Sequence, residues 1–274
     1  MERRFAQLDV FTSVPTRGNP LAVVVDAEGL SDDDMARFAN WTNLSETTFL
    51  LPPERDDADY RVRIFTTSGE LPFAGHPTIG SCRAWLDHGG EPATPGMVIQ
   101  ECGIGAVAVR DDGELAFAAP PLIRSGAVDA TAVAEIEAAI GAEVLDAAWA
   151  DNGPGWVVVE VANDATALAI RPDFRALPDI KLGVVGRSDA HDHDVEVRAF
   201  FPGPGGHFED PVTGSLNAAL AIWLMQRDPS LRHFVARQGT ALGRDGRVTI
   251  DRDDDDTIWV GGPTVTLVRG TVTL

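Results

Sequence analysis

Lysine is almost absent from the chain: Lys181 is the only one, and the other basic residues are arginines, 22 basic in all against 42 acidic. The formal net charge of −20 argues against nucleic-acid or anionic-membrane partners, since both need a basic face. The preference for arginine reads as a high-GC coding bias, with a salt-adapted acidic surface as the other explanation. Cysteine is nearly as scarce. Cys82 and Cys102 make no disulfide framework, which points to a reducing setting. No apolar run is long enough for a membrane span, and Met1-Glu-Arg-Arg4 leads directly into a strand pattern, so neither an anchor nor a signal peptide is expected. A soluble, cytoplasmic protein is the expectation.

What is present is apolar residue, 44% of 274 positions, enough for a large core in one or two domains. Strand patterns run from Phe5 to Phe11 and from Leu21 to Val25. Ser31 caps a helix, with Asp34 at its third position and Met35, Phe38 and Ala39 as its apolar stripe. Glu46 stands at the start of an apolar strand, Phe49 to Leu51, where a glutamate caps, pairs, reacts or simply turns into solvent. Tyr60 to Phe65 is the next strand. A loop to His76 follows, and then a helix whose first turn takes Pro77. Strands at Val98–Glu101, Ala106–Arg110 and Leu115–Ala118 close the first half, and Pro120-Pro121 sets a boundary between halves 1–119 and 120–274.

The second half carries a helix near Ala132 to Ile140, strands at Trp156–Val161 and Leu182–Val185, and a short helix at Asp164–Ala169. An apolar run from Val195 to Phe201 leads through a breaker-rich loop, Pro202 to Gly206, to Glu209-Asp-Pro-Val-Thr-Gly-Ser215 and a helix from about Gly214. Thr213 or Ser215 is expected to cap that helix. Its opening presents backbone N–H groups to an anion, with Asp210 beside them. Four further runs, the last from Val265 to Leu274, read as antiparallel strands. Asp253 to Asp256 reads as a solvated turn.

The halves echo each other. Arg63-Ile-Phe65, a loop and a helix ending Trp85-Leu86 match Arg198-Ala-Phe200, a loop and a helix ending Trp223-Leu224, with spans that differ by three residues. This predicts an α+β chain of two related halves, each offering a helix mouth to a shared cleft, where ligand sites are favoured.

Three strings in order, Asn43-Leu-Ser-Glu-Thr47, Gly75-His-Pro-Thr78 and Glu209-Asp-Pro-Val-Thr-Gly-Ser215, resemble the phenazine-biosynthesis-like PhzF family. So do Asp9-Val-Phe-Thr12, Gly18-Asn-Pro20, Arg237-Gln-Gly239 and Leu242-Gly-Arg244. The resemblance covers nearly the whole chain. It implies a diaminopimelate-epimerase-like fold, two similar halves each wrapping a mostly antiparallel sheet around a central helix, with the active site in the interdomain cleft. It also implies a cofactor-independent isomerase, a homodimer, acting on a small carboxylate-bearing substrate such as trans-2,3-dihydro-3-hydroxyanthranilate. Glu46 matches the proton-moving glutamate, and Gly75, His76, Asp210, Gly214 and Ser215 match substrate-binding positions. Ala74 and Leu216-Asn217 depart from residues common in relatives, and Asn217 alters the neighbouring pocket wall.

A base that also returns its proton works best where burial raises a carboxyl toward neutral pH, and Leu44, Phe49 and Leu50 surround Glu46 in sequence. Asp210 is expected to bind an amino group or to hold one His76 tautomer, and Ser215 with the helix amides to take a carboxylate. Two other readings share the fold: an epimerase, which needs a thiol at each helix mouth where this chain has His76 and Ser215, and a non-catalytic binder of small acids, which gains nothing from a glutamate in its pocket. A metal site at His191, His193 and His207 lacks a third ligand at regular spacing, so no metal is expected.

Overall fold

A computed structural model describes residues 1–176, 180–203 and 206–274. The chain is α+β, with mixed sheet and five α-helices among the described residues. It divides into two compact units, Met1–Ala118 with Gly261–Leu274, and Ala119–Val260.

In the first unit, β1 (Glu2–Val10), β2 (Asn19–Val24), α1 (Asp32–Thr42), β3 (Thr47–Leu51), β4 (Tyr60–Phe65), β5 (Glu70–Leu71), α2 (Gly75–Asp87), β6 (Met97–Cys102), β7 (Gly105–Asp111) and β8 (Leu115–Ala118) follow in order. Neighbouring strands pair antiparallel except β2 with β3 and β4 with β6, which are parallel. α1 begins with the full capping box of Ser31 and Asp34, and three aspartates in its first turn lie against the positive helix end. Its Met35, Phe38 and Ala39 pack on Val24, Phe49 and Phe65. α2 is buried from Gly75 through Cys82 and packs on β1, β2, β3 and β8. Gly80 is what lets it approach: a Cβ there would stand 2.5 Å from the Leu21 side chain and 2.9 Å from that of Val10. The C-terminal strand, Thr264–Thr273, pairs antiparallel with β1. The last residues therefore pack with the first unit, whereas the sequence groups them with 120–274.

In the second unit, β9 (Arg124–Ala127), α3 (Ala130–Ile140), β10 (Asp146–Asp151), β11 (Trp156–Val161), α4 (Asp164–Ala169), β12 (Lys181–Arg187), β13 (Val195–Gly203), β14 (Gly206–Asp210), α5 (Gly214–Arg227), β15 (His233–Gln238) and β16 (Gly246–Arg252) follow, and β17 (Ile258–Gly262) begins in this unit and ends past its boundary at Val260. The parallel pairs are β11 with β12 and β13 with β15; β10–β11, β12–β13, β13–β14 and β15–β16 are antiparallel. β1–β2–α1–β3–β4–β5–α2–β6–β7 and β10–β11–α4–β12–β13–β14–α5–β15–β16 thus share one order of pairing. α5 is apolar nearly all round, as a helix enclosed on its sides must be, and packs on β10, β11 and β16. Residues 204 and 205 of the expected loop from Pro202 to Gly206 lie outside the described residues. Its flanks are strand, and Glu209 and Asp210 are the end of β14, not loop.

The repeat now has an alignment in side chains. Phe65 faces Glu70 across β4–β5, and Phe200 faces Glu209 across β13–β14. Arg63 grips Glu70 with two bonds of 2.7 and 2.6 Å, and Arg198 grips Glu209 with two of 2.9 and 2.8 Å. Each arginine also lies over the phenylalanine two residues on, at 5.1 and 4.8 Å. Glu70-Leu-Pro-Phe-Ala-Gly-His76 therefore aligns without a gap on Glu209-Asp-Pro-Val-Thr-Gly-Ser215. The sequence hides this match behind loops of different length.

Candidate active site

The route to Glu46 begins at the end of α1. Asn43 takes a left-handed conformation, φ 56°, and turns the chain out of the helix so that Glu46 comes just before β3. Thr48 of that strand accepts a hydrogen bond from Ser81 of α2 at 2.9 Å, so this face of the strand looks at α2. Glu46, two residues earlier, lies on the same face. Its Oε2 is 3.4 Å from His76 Nε2, and the two side chains are 15% and 5% exposed.

His76 is the second residue of α2 and is held from its other side. Asn19 Nδ2 lies 3.3 Å from His76 Nδ1, and Asn19 is fully buried at the start of β2. An amide NH2 only donates, so Nδ1 accepts and the proton of the neutral ring sits on Nε2, facing Glu46. Burial pushes the imidazole down to about 3, so it is neutral at ordinary pH. Asn19 is placed by the loop before it. Asp9 Oδ2 accepts from Gly18 N at 3.0 Å, and a Cβ on Gly18 would stand 2.2 Å from the Val10 carbonyl oxygen. The sequence named Asp210 as a group to hold the His76 tautomer; within its own unit Asn19 does this. Its signal was Gly18-Asn-Pro20, matched as a string without a role.

Asp210, Gly214 and Ser215 come together at the start of α5 in the second unit. Thr213 is the N-cap by position, yet its hydroxyl caps nothing. It donates to Asp210 Oδ2 at 2.5 Å and accepts from Gln238 Nε2 at 2.9 Å. The expected cap is corrected for that reason: the hydroxyl is spent on the neighbouring carboxylate. Gln238, fully buried, also donates to the Asp210 carbonyl at 3.1 Å and accepts from Thr213 N at 3.0 Å and Asn217 Nδ2 at 2.8 Å. Asn217 is thus part of the frame of this helix opening. Ser215 Oγ accepts from Trp156 Nε1 at 3.2 Å, and its carbonyl accepts from Asn152 Nδ2 at 2.9 Å.

Cys82 and Cys102 are buried, and burial pushes both thiols up, away from the thiolate a two-thiol epimerase needs. His193 Nδ1 lies 2.8 Å from Asp192, and among the described residues no group of three or more His, Cys, Asp or Glu is arranged to hold a metal. No described helix is long and apolar enough to cross a membrane. Two surface cavities of the first unit, about 360 Å³ beside Trp85 and His88 and about 510 Å³ beside Trp41 and Leu274, are lined by neither Glu46 nor His76.

The model of the phenazine biosynthesis-like family matches residues 8–270. The chain belongs to that family. Antisense-enhancing sequence 1 of Schizosaccharomyces pombe is 37% identical, over 98% of each chain. The trans-2,3-dihydro-3-hydroxyanthranilate isomerase of Pseudomonas aeruginosa is 34% identical, over 89% of this chain and 88% of its own. A crystal structure of a PhzF-family phenazine biosynthesis protein from Enterococcus faecalis superposes with a TM-score of 0.83 at 25% identity, over 100% of both chains. Several curated relatives are named as isomerases, and this chain is an isomerase of the family.

Proposed function

We propose that the enzyme moves a proton between two carbons of a small carboxylate-bearing substrate without a cofactor, with Glu46 as the carrier. The observation that carries this reading is the shielded pair of Glu46 and neutral His76 at 3.4 Å. A carboxylate can take a proton from one carbon and return one to another, and exchange with water at that stage leaves a solvent label in the product. The Nε2 proton of His76 faces that carboxylate and steadies its charged form, or donates to a substrate heteroatom when Glu46 is protonated. Gly75 is taken as a position where backbone approaches the substrate. Asp210, Gly214 and Ser215 bind the substrate's polar groups, with the α5 amides favouring an anion. A dihydro-hydroxyanthranilate, the compound in the name of the Pseudomonas relative, has the required carboxylate and the mobile C–H proton. The same reading takes two similar halves, each built around its helix, and a homodimer as the working form, which sedimentation tests.

The experiment is solvent deuterium incorporation into small amino and hydroxy acids. Glu46→Gln should lower the rate by about a hundredfold or more, the usual contribution of general acid–base catalysis. A folded Glu46→Gln protein with wild-type exchange would show that another group carries the proton.

A further inference from the structure

The groups assigned to the α5 opening hold no positive charge. Asp210 brings a carboxyl group and Ser215 a hydroxyl. The chain as a whole carries −20. A carboxylate substrate entering such surroundings loses hydration and meets like charge, and helix amides alone are a weak answer to both. A cation is missing from the assignment.

The repeat indicates where it is. Thr47 pairs with Phe65 in the first unit and Leu182 pairs with Phe200 in the second. Since Phe65 and Phe200 are equivalent, Thr47 aligns with Leu182, and Glu46 aligns with Lys181. The chain's one lysine occupies the position of its proposed proton carrier. The faces agree as well. A Cβ on Gly183 would lie 2.4 Å from the Leu216 side chain of α5, so that face of β12 looks at α5, while Leu182 and Val184 join the opposite core with Ile136 and Ile140. Lys181, two residues before Gly183, is on the α5 face, as Glu46, two before Thr48, is on the α2 face. Its register partner on β11 is Trp156, whose ring N–H bonds Ser215 Oγ.

We infer that Lys181 binds the substrate carboxylate, beside Ser215 at the opening of α5. The inference rests on the reading that this opening takes the substrate's acid group, and it narrows the substrate class to anions. Burial pulls the Lys181 ammonium below the ordinary lysine value, with Asp151 as the charge that opposes this. Among the described residues no hydrogen bond or ion pair reaches the ammonium. A bound carboxylate compensates a half-buried cation of that kind.

A single lysine makes the test direct. Reductive methylation of the full-length protein with ¹³C-formaldehyde preserves the charge and places one side-chain label, at Lys181, besides the N-terminal amine. Anthranilate is the probe, with aniline as the same ring lacking the acid. The Lys181 methyl signal should move on adding anthranilate and stay in place with aniline. Lys181→Met should weaken anthranilate binding by at least about tenfold, as expected for a charge-assisted contact, and Lys181→Arg should recover most of it. A label that ignores bound anthranilate, or no anthranilate binding at millimolar concentration, overturns the inference. The labelling uses wild-type protein, so it stands even if Lys181→Met fails to fold. If Glu46→Gln keeps full deuterium exchange while anthranilate still moves the label, the proton-carrier reading fails and the Lys181 contact stands.

Discussion

Replacing Gln238 by leucine isolates the frame of the α5 opening from the groups it presents. The side chain makes four hydrogen bonds: Oε1 accepts from Thr213 N and Asn217 Nδ2, and Nε2 donates to Thr213 Oγ1 and the Asp210 carbonyl. Leucine has nearly the same volume, so the change is chemical more than steric. Two of the partners keep other bonds in the variant. Asn217 Nδ2 still donates to the Thr213 carbonyl at 2.9 Å, and Thr213 Oγ1 still donates to Asp210 at 2.5 Å. The Thr213 N–H loses the bond that Gln238 gave it, at a place where Gln238 itself has 0% exposure. Leaving a buried polar group unsatisfied costs about 1–3 kcal/mol, so the variant should lose about that much. That is a sizeable share of the 5–15 kcal/mol typical of a folded domain. Urea unfolding followed by tryptophan fluorescence reads it as a lower midpoint at unchanged slope. A loss under about 0.5 kcal/mol would refute the reasoning, because it would mean that water or a small shift satisfies the Thr213 N–H.

Glu209→Gln should cost about 3–5 kcal/mol, because Arg198 (4% exposed) is left as a buried cation, whereas Glu70→Gln should cost about 1 kcal/mol or less, since Arg63 is 21% exposed and keeps Asp32. Denaturant midpoints of the two variants, compared side by side, check the difference. His76 gives a pH prediction. Its folded pKa of about 3 lies below the unfolded value of 6.5, so its neutral form is favoured by folding. Stability is complete above pH 6.5 and falls as the pH drops toward 3, by roughly 1.4 kcal/mol per unit, and His76→Asn should remove that part of the slope. An ionised Glu46 at 3.4 Å would raise the histidine, so an NMR titration of His76 near pH 6 would refute the neutral ring.

Local chemistry made much of this architecture legible. The Ser31–Asp34 capping box and the α1 stripe are short-range consequences of residue type, and the structure has them as the sequence suggests. The pairing of the C-terminal strand with β1 was not legible. It joins residues at opposite ends of the chain, and a strand's alternation says which face is apolar but not which partner it meets. β9 and β10 were missed because Arg124–Ala127 is exposed throughout and Asp146–Asp151 carries alanines in place of β-branched residues. At the site, the motif strings brought Glu46, His76, Asp210 and Ser215 forward, while Asn19 and Gln238 stayed in the background. Both are uncharged amides whose importance lies in what they hold, and a hydrogen-bond partner is a fact of three dimensions.

The alignment of the two helix openings also explains why neither can be inferred from the other. Glu-x-Pro-x-x-Gly is kept in both, and it fixes the same turn from hairpin to helix. In the first unit the positions of Asp210 and Thr213 are Leu71 and Ala74, so the polar frame of α5 has no counterpart there, and Asn19 holds His76 from another strand. In the second unit the glutamate before the strand has become Lys181, and Ser215 replaces the imidazole. The first opening thus has a carboxylate beside an imidazole, while the second has Lys181 and Ser215 at the matching positions, so the two copies carry different chemistry on one scaffold. Lys181→Glu tests whether the two act independently: it should abolish anthranilate binding while the Glu46–His76 pair, within its own unit, keeps the His76 titration of the wild type. A His76 titration that moves with Lys181→Glu would mean that the two openings are not independent.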